Sequence, residues 1–183
     1  FQTGIESEKE GADDDLRAKK YDQEYAKVLE DNKERMIAFL SVEKDGDRPR
    51  KDISKYSDVK EEFSYATLDM FTKEDYFKYD GDKTYDVQLV LDYVNNYLEL
   101  DGTNEEWFNK VKEFAVAKGY AASPKEYKKD PESYLGHVGD ICEAIRVMVT
   151  GRRQSPDLFS IMKILGKDEI LERIELYRKH INK

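Results

Sequence analysis

Sulfur and imidazole are scarce in this chain. Of its 183 residues one is a cysteine, Cys142, and two are histidines, His137 and His180. A lone thiol excludes an internal disulfide and a cysteine-rich zinc site. Lying between Ile141 and Ile145, it reads as a small core hydrophobe. Neither histidine has a local partner that would make a nucleophile or a metal set, so both read as surface or loop residues. The glycines number ten, those at 4, 11, 46, 81 and 102 stand apart in turns, and no Gly-x-x-x-x-Gly-Lys or Gly-x-Gly-x-x-Gly phosphate motif occurs. No run approaches the roughly 20 apolar residues of a membrane span, and no basic-then-apolar leader is present. Asp13-Asp14-Asp15 and Glu61-Glu62 read as solvated surface, and no pair stands out among forty acidic residues. Nothing here reads as an active site, and no metal or cofactor is expected on the chain itself. A soluble, cytoplasmic protein without a membrane partner is expected.

Charge is abundant. Charged residues make up 39% of the chain, mean hydropathy is -0.85 and the net charge is -9, yet the sign is unevenly spread. Residues 110–183 carry 15 Lys and Arg against 11 Asp and Glu, or +4, and residues 1–109 carry 16 against 29, or -13. A basic C-terminal half fits a polyanion bound on one face. The chain opens on Phe1 rather than methionine, which reads as a piece of a longer protein whose upstream part holds the chemistry.

Hydrophobic periodicity is helical throughout, so the expected class is all-α, a multi-helix bundle. Residues 1–19 are polar and acidic without a period and read as a frayed or disordered lead-in. An N-terminal helical subdomain is expected over 20–101 and a C-terminal one over 102–183. In the first, Tyr25, Val28, Leu29, Met36 and Leu40 form one stripe and Val59, Phe63, Ala66 and Met70 another; Thr84 is a plausible cap for the helix carrying Val87, Val90, Leu91, Val94 and Leu98. In the second, Thr103 and Glu106 have capping-box spacing ahead of Trp107, Val111 and Phe114, with Gly119 as the stop. Three further helices are expected near 139–150, 156–165 and 168–181. Phe63, Trp107, Phe114 and Phe159 fall on helical stripes and read as core; Tyr120, Tyr127 and Tyr134, in a lysine-containing stretch, could instead be exposed.

The run from Val138 to Leu171, V-G-D-I-C-E-A-I-R-V-M-V-T-G-R-R-Q-S-P-D-L-F-S-I-M-K-I-L-G-K-D-E-I-L, is the most informative. It places Arg146, Arg152 and Arg153 about a glycine corner leading to Ser155 and Pro156, read as N-cap and first helical residue of a helix closed by Gly166. A basic loop at a helix N-terminus receives anions, because unpaired N–H groups and the helix dipole favour negative charge.

That run, with R-P-R-K-D-I-S-K-Y-S-D-V-K at 48–60 and W-F-N-K-V-K-E-F-A-V-A-K-G-Y-A-A-S-P-K-E-Y-K-K-D-P-E-S-Y-L-G-H-V-G-D at 107–140, resembles the C-terminal anticodon-binding region of bacterial glutamyl-tRNA synthetases over roughly residues 20–183. The resemblance implies an all-helical tRNA-reading module of a class I ligase that uses ATP and Mg to attach glutamate to tRNA(Glu), with a possible second substrate in tRNA(Gln). The His-Ile-Gly-His and Lys-Met-Ser-Lys-Ser types of signature are absent, so catalysis, ATP and Mg belong to an N-terminal catalytic domain, itself an expected partner. Carried over by position, the anticodon contacts fall at Arg146, Ser155, Pro156 and Leu158. Ser155 has a competing role as cap, and Leu158 as core. Arg152 and Arg153 suit phosphate, which positions RNA without specifying sequence. Arg48, Arg50 and Lys51 could contact the RNA backbone, pack on the catalytic region or form a solvated turn. A helical protein-interaction module on the same fold, with the acidic half as its partner surface, is the other reading.

Overall fold

A computed structural model describes residues 23–44, 49, 59, 62–73, 77 and 83–182. The lead-in at 1–19 and the basic cluster Arg48, Arg50 and Lys51 lie outside them. The regular elements are α1 (Lys33–Ser41), α2 (Leu68–Lys73), α3 (Val87–Asn96), α4 (Asn104–Ala117), α5 (Pro124–Lys129), a 3-10 turn Pro131–Ser133, α6 (Val138–Thr150) and α7 (Leu158–Ile181). Among the described residues the only β pairing recorded is an isolated parallel bridge between Ala121 and His137. The all-α expectation holds.

The chain divides into two compact units, 1–38 and 39–183. In the first, residues 23–31 are helical and a turn at Asn32 precedes α1, so the single helix expected from Asp22 to Leu40 is interrupted. In the second, α3 packs on both α6 and α7, joining segments on either side of residue 101.

Helix α6 is the centre of the second unit. Its apolar residues run almost all the way round, and Ile141, Ala144, Ile145, Val147, Met148 and Val149 are buried against α7, α4 and α3. A helix that is apolar on every side must be covered on every side. Each large apolar side chain so buried contributes about 1.5–3 kcal/mol. The neighbouring helices meet it with one face each: Val90, Tyr93 and Val94 from α3, and Trp107, Val111, Phe114 and Ala115 from α4. Phe63, Trp107, Phe114 and Phe159 are all buried, as their stripes predict.

Ends of the helices follow local chemistry, with some corrections. Thr103 Oγ1 accepts from Glu106 N–H at 3.2 Å, and Thr103 N–H donates to Glu106 Oε2 at 2.8 Å, closing the expected capping box. Gly119 stops α4 at φ +83°. The cap of α3 is Asp86, whose Oδ1 accepts from Leu89 N–H at 3.1 Å, rather than Thr84. The stripe from Val59 to Met70 is not one helix, because residues 63–67 turn and Thr67 Oγ1 accepts from Met70 N–H at the start of α2. His137 is no bystander: its Nδ1 accepts from Gly139 N–H at 3.0 Å while its own N–H donates to Asp140 Oδ2 at 2.8 Å, capping α6. Cys142 is half-buried rather than wholly within the core, and burial pushes its thiol up to about 11.

Candidate nucleic-acid interface

Two helices and a glycine make the corner. Gly151 ends α6 at φ 70°, where a residue with a Cβ is strained, and its N–H returns to the Val147 carbonyl at 2.8 Å. Thr150, buried behind it, donates its hydroxyl to the Arg146 carbonyl at 2.7 Å and accepts from Arg152 N–H at 3.2 Å. The chain then turns through 152–157 into α7. The cap of that helix is Asp157: Oδ2 accepts from Ser160 N–H at 2.8 Å, and Oδ1 accepts from the Asn104 amide at 2.6 Å. The expected cap at Ser155 and the helix start at Pro156 are therefore corrected. Ser155 lies two residues ahead of the cap because its hydroxyl is engaged elsewhere: it accepts from Arg146 Nε–H at 2.9 Å and donates to the Pro156 carbonyl at 2.9 Å.

The six candidate residues fare differently. Arg146 is half-buried and is held across the corner by its Nε, and its two terminal nitrogens have no hydrogen-bond partner among the described residues. Pro156 is half-exposed beside it, whereas Leu158 is 3% exposed and packs in the core. Arg152 turns back into the protein: Nη2 donates to Ser64 Oγ at 3.0 Å, Nη1 lies 3.6 Å from Glu62, and the guanidinium sits over the Tyr65 ring. Arg153 is more exposed and pairs with Glu143 Oε2 at 3.4 Å. That carboxylate also accepts from Tyr85 Oη–H at 2.7 Å and Lys83 Nζ at 2.9 Å. Burial raises the Glu143 carboxyl, but the hydrogen bonds from Tyr85 and Lys83 and the charges of Lys83 and Arg153 outweigh it and hold it at about 2.

Two supports and one exposed side chain escaped sequence reasoning. Arg173, fully buried on α7, donates Nη1 to the Val149 carbonyl at 2.6 Å and Nε and Nη2 to Glu169 at 3.0 and 2.7 Å, and it stacks over Phe71. It thereby ties the end of α6 to α7. Seven residues earlier, Gly166, with φ of 76° and ψ of 159°, breaks α7 where the sequence predicts a stop. Asn104 ties the corner to α4. Gln154, exposed at the tip, makes no hydrogen bond with any described residue; its only sequence signal is its position between Arg153 and Ser155.

The corner is thus a basic turn in which one half-buried arginine is anchored through Nε while its terminal nitrogens have no hydrogen-bond partner among the described residues. Residues 135–178, which contain it, match the anticodon binding domain family. The chain is 37% identical over 158 residues to the glutamate–tRNA ligase of Acetivibrio thermocellus, covering 86% of this chain and 29% of that protein. Similarity to the glutamate–tRNA ligase of Clostridium perfringens strain 13 is 35% over 160 residues, covering 86% and 29%, and to that of Sorangium cellulosum 32% over 162 residues, covering 86% and 28%. The chain carries an anticodon-binding domain and matches the C-terminal part of glutamate–tRNA ligases. The chain spans about three tenths of the length of these relatives, and the anticodon-binding domain is the part it shares with them. No solved structure matches it. No helix among its described residues is long and apolar enough to cross a membrane, and no group of three or more His, Cys, Asp or Glu among them is placed to hold a metal.

Proposed function

We propose that this anticodon-binding domain docks the anticodon loop of tRNA(Glu) against the corner of residues 146–158, serving a cytoplasmic glutamate–tRNA ligase whose glutamate, ATP and Mg sites lie in an N-terminal catalytic domain. One observation carries the reading: Arg146 is fixed through Nε to Ser155 while its terminal nitrogens have no hydrogen-bond partner among the described residues. A fork held in place that way suits a base edge, since arginine presents paired donors in one plane. Arg153 suits a phosphate. Its pair with Glu143 is 3.4 Å long and its side chain is 46% exposed, so the pair contributes about 0.2–1 kcal/mol and can be exchanged for an RNA contact. Arg152 acts as a strut, and Ser155 as the positioner of Arg146. Leu158, buried at the first turn of α7, packs in the core and is not assigned to RNA. Possible charging of tRNA(Gln) turns on the third anticodon base, and no residue here is assigned to reading it.

The test is binding of tRNA transcripts that differ only in the anticodon. Arg146→Ala should shrink the preference for the cognate anticodon by about 1–3 kcal/mol, roughly 5- to 150-fold. Arg153→Ala should weaken all transcripts alike. Equal loss of preference from both substitutions would contradict the roles, and failure of the chain to bind any tRNA at moderate salt would favour a protein-interaction module.

A further inference from the structure

A second basic surface stands apart from the corner. The base of α5 is stapled: Ser123 Oγ accepts from Glu126 N–H at 3.1 Å, Glu126 accepts from Ala122 N–H at 3.1 Å and from Tyr134 Oη–H at 2.9 Å, and Asp130 accepts from the Ser133 hydroxyl. Both acidic residues of the segment are thereby engaged within the protein. Lys125, Lys128 and Lys129 are the remainder. They are all exposed, and none makes a hydrogen bond or ion pair with a described residue.

Their spacing is i, i+3, i+4, which puts three like charges on one helix face. Such pairs cost a few tenths of a kcal/mol each. The helix dipole offsets this for Lys128 and Lys129, which lie in the last turn, but it opposes Lys125 in the first turn. Asp130, exposed beside Lys129 and bonded to the neutral Ser133 hydroxyl, and Glu132, exposed in the following 3-10 turn, are the acidic residues nearest in sequence that oppose them. A mount that bonds Glu126 back onto its own backbone and Tyr134, and leaves three exposed ammonium groups without a partner among the described residues, is a cationic face on a chain of net charge -9.

Its position fits the same RNA. Tyr127 of α5 lies edge-on to His137, the cap of α6, with ring centroids 5.7 Å apart. The lysine face therefore sits by the start of α6 and the corner by its end. The 13 residues of α6 span about 20 Å at about 1.5 Å per residue, a distance over which an RNA stem presents several successive phosphates. We infer that the Lys125, Lys128 and Lys129 face of α5 holds the sugar-phosphate backbone of the RNA stem whose loop docks at the corner. The inference rests on the anticodon reading above.

The experiment compares the wild-type chain with a variant combining Lys125→Gln, Lys128→Gln and Lys129→Gln, using two probes: the cognate anticodon stem-loop and a loop-free RNA duplex. The variant should bind both about tenfold more weakly at low salt, with a log-log salt slope shallower by about 2–3. Its preference among anticodons should be unchanged. Wild-type affinity and slope in the variant would overturn the inference. Loss of duplex binding in the variant, beside a wild-type chain that shows no anticodon preference, would sink the anticodon reading and leave the lysine face standing. A wild-type chain that binds neither RNA ends both.

Discussion

The two ends of α6 handle positive charge in opposite ways. At its C-terminal end Arg146, Arg152 and Arg153 are each bonded to a named partner, Ser155, Ser64 or Glu143. Near its N-terminal end Lys125, Lys128 and Lys129 on α5 are bonded to none of the described residues. The difference follows from the side chains. A guanidinium has five donors in a rigid fork, so some can anchor it while others face a ligand; an ammonium on a flexible stem is a point charge that works best unanchored. The corner has the character of a shape, and the lysine face that of a field. A shape discriminates among bases and a field supplies salt-sensitive affinity.

The sharpest way to break this contrast is to remove the anchor behind the corner. Arg173 is 0% exposed and holds the Val149 carbonyl and Glu169, which is 15% exposed. Replacing it with Leu removes the guanidinium donors from the Glu169 carboxylate and the Val149 carbonyl, a loss of about 3–5 kcal/mol of stability. Urea unfolding measures it. A loss under about 1 kcal/mol would mean that the corner is held by packing alone.

What could be read ahead of the structure was whatever is settled locally. The Thr103 and Glu106 capping box, the stop at Gly119 and the break at Gly166 depend on residues within a turn of each other, and each is found. The misreadings are decided by distant partners. In Ser155-Pro156-Asp157 both ends are good caps; Arg146, nine residues earlier, takes Ser155 and leaves Asp157 to the helix. Arg173, between glutamate and isoleucine in a charged run, reads as solvent-facing until the Val149 carbonyl and the Phe71 ring are placed against it. Helix α5 spans six residues, too few to show a period. The match to the anticodon binding domain family over residues 135–178, by contrast, is carried by the linear sequence.

A milder cut sharpens the comparison instead. Asp157→Ala removes the cap of α7 and the tie to Asn104, at a cost of about 0.5–2 kcal/mol. Because the change slackens the turn that positions Arg146, anticodon preference should fall. Binding of a loop-free duplex, carried by the lysine face, should hold. If both fell together the two surfaces would be one.

The smallest effect separates the ends by pH. Glu143 is held at about 2, below its ordinary 4.5, by Tyr85 and Lys83 hydrogen bonds and by Lys83 and Arg153, against burial. A carboxyl whose folded value is depressed contributes stability in full above its unfolded value, and that contribution is lost as pH falls through the folded one. The stability gap between wild type and Glu143→Gln should therefore be level from neutral pH down to about 5, then close between about 4.5 and about 2. Thermal melts of both chains across that range measure it, and a gap that does not change with pH would detach Glu143 from the corner. The triple lysine variant, whose replaced groups have no carboxylate partner among the described residues, should keep a level gap to wild type over the same range.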